Sequence, residues 1–127
     1  MFDMMTTTSN LSHWTTRFYI MQLIEVLEHL HSNRIIYRDL KPENVMIGKS
    51  GYITLVDMGT AKRLSLEKRF KTSTIIGTPH YMAPEIIIGK GYTFPADLWS
   101  LGVMMYELVI GKLPYGSSSD DPFQIYE

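Results

Sequence analysis

With 127 residues, 45% of them hydrophobic and 20% charged, and a formal net charge of −1, the chain has the make-up of one globular domain around a single core. A charge balance so close to neutral gives no support for nucleic-acid or polyanion binding. The absence of cysteine excludes a disulfide framework and a thiolate zinc site. Met1 to Asn10 lacks the basic start and long apolar centre of a signal peptide, and every apolar run falls short of the ~18 residues that suggest a membrane span.

Met1 to Met5 reads as a helix end or a short apolar lead-in, and Thr6 to Asn10 as a polar linker. Ser12 is suited to cap a helix running to about Ser32, with Ile20, Leu23, Ile24, Leu27 and Leu30 recurring at core-facing helical spacing. Asn33 suits a left-handed stop. The period then changes. Ile35-Ile36-Tyr37 is predicted to be a short strand, as are Val45 to Ile47 and Tyr52 to Val56, the last two joined by a Gly48-Lys49-Ser50-Gly51 hairpin turn. Residues 60–78, rich in Lys and Arg, are expected to form an exposed loop.

Met82 to Ile88 is predicted to be a short helix ended by Gly89-Lys90-Gly91. Thr93 is a candidate cap for the next helix, and Pro95 is tolerated in its first turn. From Ala96 to Ile110 that helix is apolar on nearly every side, the pattern of a central buried helix. Asp97 in its first turn is favoured by the helix dipole. Gly111 ends it, Leu113-Pro114-Tyr115 opens a loop holding Gly116 to Asp121, and Phe123 to Tyr126 begin another helical pattern. His13, His29 and His31 read as helix-surface or packing residues, since no partners at metal-ligand spacing accompany them.

Between the first two strands lies Tyr37-Arg38-Asp39-Leu40-Lys41-Pro42-Glu43-Asn44. Four charged residues and an amide there cannot be buried as a strand, because unpaired buried charge is too costly. A polar loop on an apolar support is where catalytic groups are usually held. Asp57-Met58-Gly59 follows the third apolar strand, so two acidic loops are expected to converge on one site.

Asp39-Leu40-x-x-x-Asn44, Asp57-x-Gly59 and Ala83-Pro84-Glu85 resemble, in order, the catalytic loop, metal-binding loop and segment end of protein kinases. Lys41 and Gly77-Thr78-Pro79 resemble the serine/threonine class. Tyr37, Lys41 to Asn44, and Gly77 to Glu85 resemble the cyclic-nucleotide-dependent branch of the AGC group. Thr60-Ala61-Lys62 and Gly89 to Tyr92 are similar to cGMP-dependent protein kinases of protists.

The resemblance implies an α+β fold: a kinase-like large (C-terminal) lobe, mainly helical with short catalytic-loop strands and truncated at both ends. Residues 1–127 would form one partial domain lacking the small lobe and the last helices. No G-x-G-x-x-G with a following strand lysine is present. The activity implied is transfer of the ATP γ-phosphate to a protein Ser or Thr hydroxyl, with magnesium, in a longer protein. The alternative is a catalytically silent, kinase-like piece acting only as a binding module. Cyclic-nucleotide-binding domains in the same full-length chain and a cytoplasmic location are implied in the same way.

By the same resemblance, Asp39 would take or orient the proton of the substrate hydroxyl and Lys41 would offset charge on the transferred phosphate. Lys41, Glu43, Asn44 and Asp57 would face the nucleotide, with Asn44 and Asp57 as oxygen ligands to magnesium. Thr74 is the expected phosphosite, its phosphate pairing with Arg38 and Lys62; the plainer reading is one hydroxyl among three in a solvated loop. Thr78 would bond the catalytic loop. Ile75, Pro79 and Met82 would shape the pocket for the residue after the phosphoacceptor. Glu43 and Glu107 would hold an upstream arginine, although Glu107 also reads as a solvent-facing helix-end charge. His80 stands where close cAMP-dependent relatives carry an acid. Met58 replaces the phenylalanine beside the metal-binding Asp, and an apolar, adaptable side chain there leaves Asp57 free to act.

Overall fold

A computed structural model describes residues 1–7, 11–116, 118–119 and 121–127. About half of the chain is helical, with a few short strands. Helix α1 spans Phe2–Thr7, so Thr6 and Thr7 continue a helix and do not begin a linker; residues 8–10 of the expected linker lie outside the described residues, as do 117 and 120 of the later loop. Helix α2 spans His13–Ser32, and the Ser12 hydroxyl accepts the Thr15 N–H at 3.1 Å, the capping bond expected from the sequence.

Thr16, Tyr19, Ile20, Leu23 and Leu27 of α2 are buried. Ile24, expected on that face, is 42% exposed. The stripe is centred between positions 20, 23 and 27, which leaves residue 24 on its flank. The left-handed stop also falls one residue later than expected: Asn33 closes the helix with φ −87°, and Arg34 takes φ 63°.

Strand β1, Ile35–Ile36, pairs antiparallel with β4, Lys62–Arg63. Strands β2, Val45–Ile47, and β3, Ile53–Leu55, form the expected hairpin, with Val45 opposite Leu55. Gly51 takes φ 84° in its turn. Residues 60–78 are more structured than an exposed loop: besides β4 they contain a 3-10 turn at Leu66–Lys68, and Thr72 bridges Tyr92. Leu64 and Thr72 are buried. A two-residue strand is defined by its partner, so composition alone does not reveal it.

Helix α3 spans Pro84–Ile88 and ends at Gly89, φ 70°. Helix α4 spans Pro95–Ile110 and ends at Gly111, φ 82°. Thr93 does not cap α4 with its side chain; Phe94 flanks the helix in helical backbone, and the Thr93 carbonyl accepts from Ala96. Nor is α4 buried all round. Leu101, Val103, Met104 and Leu108 are buried, while Leu98, Met105 and Tyr106 stand in the open. A short helix α5 covers Pro122–Tyr126.

Two apolar clusters support the charged loop. One gathers Leu23 and Leu27 of α2, Met104 and Leu108 of α4, and Tyr37, Leu40 and Val45. The other joins Ile36, Leu64, Met82, Ala83, Ile86, Tyr92 and Ala96. Ile36 and Tyr37 are successive residues on extended backbone, so their side chains point to opposite sides and enter different clusters. Fully burying a large apolar side chain contributes about 1.5–3 kcal/mol. The start of the loop is therefore pinned on both sides.

Candidate active site

The loop after β1 departs from regular backbone at Arg38, φ 73°. Asp97, fully buried in the first turn of α4, holds it there. Its Oδ2 accepts the Tyr37 N–H at 2.9 Å and its Oδ1 the Arg38 N–H at 2.8 Å. His31 Nε2 meets the same Oδ2 at 2.8 Å. A buried carboxylate satisfied by three partners avoids the cost of an unpaired charge. The loop is also laced to the segment after β3: Arg38 Nε donates to the Thr60 carbonyl at 2.6 Å, Thr60 Oγ1 donates to the Tyr37 carbonyl at 3.1 Å, and the Tyr37 hydroxyl donates to the Val56 carbonyl.

On this frame four side chains meet. Thr78 Oγ1 donates to Asp39 Oδ1 at 2.6 Å and accepts from Lys41 Nζ at 2.8 Å. Lys41 Nζ lies 3.2 Å from Asp39 Oδ2. Asn44 Nδ2 donates to Asp39 Oδ2 at 3.0 Å and to the Asp39 carbonyl at 2.8 Å. Pro42–Asn44 forms a 3-10 turn, which folds Asn44 back over Asp39. Thr78 comes from a different part of the chain because Gly77, φ 126°, passes against the Arg38 carbonyl; a Cβ there would lie 2.7 Å from that oxygen.

The second acid loop lies beside the first. Val56 N–H donates to the Asn44 carbonyl at 2.9 Å, and Asp57 is left-handed at φ 56° with Oδ1 accepting from the Gly59 N–H at 3.1 Å. Burial, followed by the negative charges of Asp39 and Asp57, pushes the Tyr37 hydroxyl well above its usual value. Both acids thus act on one neighbourhood, as expected for two converging acidic loops.

The donor set suits a hard cation that takes only a few protein ligands. Asn44 commits its amide nitrogen to Asp39, which turns its carbonyl oxygen to other use. Asp57 is exposed, with Oδ2 outside the Gly59 bond. One carboxylate and one amide oxygen fit magnesium, which takes few protein ligands and completes its shell with phosphate and water. Among the described residues no group of three or more His, Cys, Asp or Glu is placed to hold a metal by itself.

The remaining expected residues lie within residues 74–82 and on α4. Thr74 and Ile75 are exposed, and the Thr74 carbonyl accepts from the Tyr92 hydroxyl at 2.6 Å. Pro79 and Met82 line an apolar cavity of about 420 Å³ with Trp99, Tyr115 and Ile125. Glu107 accepts the Tyr81 hydroxyl at 2.5 Å. Burial holds the Glu107 carboxyl above its usual value, with exposed Glu43 adding repulsion. His80 Nε2 donates to the Gly116 carbonyl at 3.1 Å. Lys62 Nζ donates to Thr72 Oγ1 at 3.1 Å, whereas Arg38 is turned toward Thr60.

Sequence reasoning passed over three contributors. His31 reaches Asp97 across 66 positions, Tyr81 reaches Glu107 across 26, and Thr60 reaches Tyr37 across 23. No local spacing announces such contacts.

This fold and its two joined acidic loops are those of a protein kinase domain. That family matches residues 1–126, and the chain belongs to it. It is similar to the cGMP-dependent protein kinase of Eimeria tenella, 44% identical over 91% of this chain and 11% of the relative. For the enzyme of that name from Toxoplasma gondii the figures are 46%, 87% and 11%. For cGMP-dependent protein kinase, isozyme 2 forms cD5/T2, of Drosophila melanogaster they are 49%, 92% and 12%. The resemblance read from the motifs is borne out. The chain spans about a tenth of the length of these relatives. Among the described residues no helix is long and apolar enough to cross a membrane.

Proposed function

We propose that this chain is the large-lobe part of a serine/threonine protein kinase domain whose full-length protein transfers the γ-phosphate of ATP to a Ser or Thr hydroxyl of a protein substrate. The observation that carries this reading is the meeting of Asp39, Lys41, Asn44 and Thr78 within hydrogen-bonding distance. Thr78 and Asn44 fix the Asp39 carboxylate, so one oxygen can orient an incoming hydroxyl and receive its proton. Lys41 brings a positive charge beside that oxygen, where negative charge on a transferred phosphoryl group needs offsetting. When bound, ATP would supply the phosphoryl group and magnesium would offset its charge; Asn44 and Asp57 would hold the metal, with Lys41 and Glu43 beside the nucleotide.

Ile75, Pro79 and Met82 would receive the residue after the phosphoacceptor. Glu43 and Glu107 would hold a cationic residue before it, a reading supported by the carboxyl of Glu107 lying within the field of Glu43. Thr74, exposed in a basic segment, would be the phosphosite that orders residues 60–78. The names of the relatives, cGMP-dependent protein kinases, support cyclic-nucleotide-binding regulatory domains in the same full-length protein. In that protein Asp39→Ala is expected to lower phosphoryl transfer by about 10²–10⁴-fold while leaving the melting transition nearly unchanged. Near-normal turnover in the variant would remove Asp39 from the mechanism and favour a silent binding module.

A further inference from the structure

Gln22 sits one position before Leu23, which is fully buried on the core-facing stripe of α2. An amide so close to a core needs partners for its polar atoms. Gln22 Oε1 accepts the Ile53 N–H of β3 at 3.0 Å, across 31 positions, and its Nε2 donates to the Phe18 carbonyl at 3.4 Å.

The hairpin's own bonding pattern explains why Ile53 needs this acceptor. Gly48 N–H donates to the Tyr52 carbonyl at 2.8 Å and Val56 N–H to the Asn44 carbonyl at 2.9 Å. Facing residues of an antiparallel pair alternate between hydrogen-bonded and non-bonded. With those two pairs bonded, Ile47–Ile53 and Val45–Leu55 are the non-bonded ones. The Ile53 N–H therefore faces away from β2, and this two-stranded sheet has no third strand to receive it. Gln22 takes that place.

The bond supplies what apolar packing does not. Ile47, Ile53 and Leu55 lie against the core cluster of α2 and α4, but apolar contact is non-directional and tolerates a slide along the strand. A hydrogen bond weakens steeply with misalignment. Among the described residues no other hydrogen bond joins α2 to β2 or β3. Both proposed magnesium ligands leave the open end of this hairpin: Asn44 directly precedes β2, and Asp57 follows β3 by two positions. The β2 side continues from the loop that Asp97 holds. The β3 side has its polar anchor at Gln22, and a two-stranded hairpin is marginal by itself.

We infer that Gln22 is a positioning residue: by fixing β3 along α2 it sets the place of Asp57 relative to Asn44. It acts through β3 and needs no contact with nucleotide or metal. The inference rests on the reading of Asn44 and Asp57 as magnesium ligands.

The test uses the full-length protein with a non-hydrolysable ATP analogue and two binding readouts. One is amide hydrogen exchange at Ile53. The other is the magnesium concentration giving half of the nucleotide-induced rise in melting temperature. Gln22→Met keeps the length and removes the acceptor, Gln22→Glu keeps an acceptor oxygen, and Ile20→Val thins the core on the same helix. In Gln22→Met both the exchange rate and the magnesium midpoint are expected to rise roughly 2–12-fold, the worth of one hydrogen bond. Gln22→Glu should match the parent in both, and Ile20→Val should leave the midpoint unchanged. Faster exchange with an unchanged midpoint, or a midpoint that Ile20→Val moves as far, overturns the positioning role. Unchanged exchange at Ile53 overturns the bond on which it depends. Asp57→Asn separates the two readings. A parent-like midpoint there overturns the metal reading and this inference with it, whereas a raised one beside a parent-like Gln22→Met overturns the inference alone.

Discussion

Asp97 accepts the Arg38 backbone N–H at 2.8 Å while Arg38 sits in left-handed backbone at φ 73°. A non-glycine residue costs about 1–2 kcal/mol in that region, so the residue before Asp39 stays there because α4 holds it. The same carboxylate takes the Tyr37 N–H and His31. In Asp97→Asn one oxygen becomes an NH₂ facing a donor, and the charge that strengthened every bond is lost. Destabilisation of about 2–4 kcal/mol is expected, measured as a fall in the urea midpoint of the full-length protein. His31→Ala, which removes one of three partners, is expected to cost less. A variant Asp97→Asn as stable as the parent would mean that other contacts set the loop.

Gly77 offers an independent check on the same loop. Its φ of 126° strains any other residue, and a Cβ would lie 2.7 Å from the Arg38 carbonyl, a backbone atom that cannot swing aside. Gly77→Ala is expected to destabilise by more than about 2 kcal/mol and to displace Thr78 from Asp39. Gly89→Ala is the comparison, since φ is 70° but nothing lies within 4 Å of the added carbon; there about 1–2 kcal/mol is expected. Equal losses at both positions, measured by thermal unfolding, would show that the close approach to Arg38 is not what matters.

How far the sequence revealed these features follows from separation along the chain. Asn44 returns to Asp39 across five positions through a proline-led turn, so the spacing within the motif already contained the contact. The Ser12 cap and the Gly48–Gly51 turn are local for the same reason. Strand β4 exists only because Lys62–Arg63 lies against Ile35–Ile36, and the bond from His31 to Asp97 joins two helices. Neither has a local cause. Asp97 itself is legible as a dipole-favoured residue; its bonds to the Tyr37 and Arg38 N–H groups span 60 and 59 positions and have no local cause.

Thr78 links the two halves of the proposed chemistry, donating to Asp39 at 2.6 Å and accepting from Lys41 at 2.8 Å. Thr78→Val keeps the shape and removes both bonds, whereas Thr78→Ser keeps the hydroxyl. A bond to a charged partner is worth about 1.5–3 kcal/mol, so the valine variant is expected to lose roughly 10–150-fold in phosphoryl transfer. The serine variant should stay close to the parent. Equal activity of the two variants in full-length protein would reduce Thr78 to a packing residue.

Glu107 gives a pH signature. Burial raises its carboxyl pKa above the usual 4.5, Glu43 raises it further, and the Tyr81 hydroxyl bond and His80 act the other way. The folded state therefore holds this proton more tightly than the unfolded chain. Its contribution to stability is fully present below the unfolded value and is lost as pH rises through the raised folded value. Glu107→Gln has no such proton, so its stability should fall less across that window than the parent's, as read by urea midpoints at a series of pH values. Glu43→Gln removes one raising charge and should move the window to lower pH. Identical slopes in parent and Glu107→Gln would show that Glu107 is no more buried than an ordinary surface acid. The same electrostatics bear on substrate choice: a cationic residue docked between Glu43 and Glu107 favours the charged carboxylate. Binding of an arginine-bearing peptide should therefore strengthen as pH rises through the Glu107 window, and Glu107→Gln should abolish that dependence.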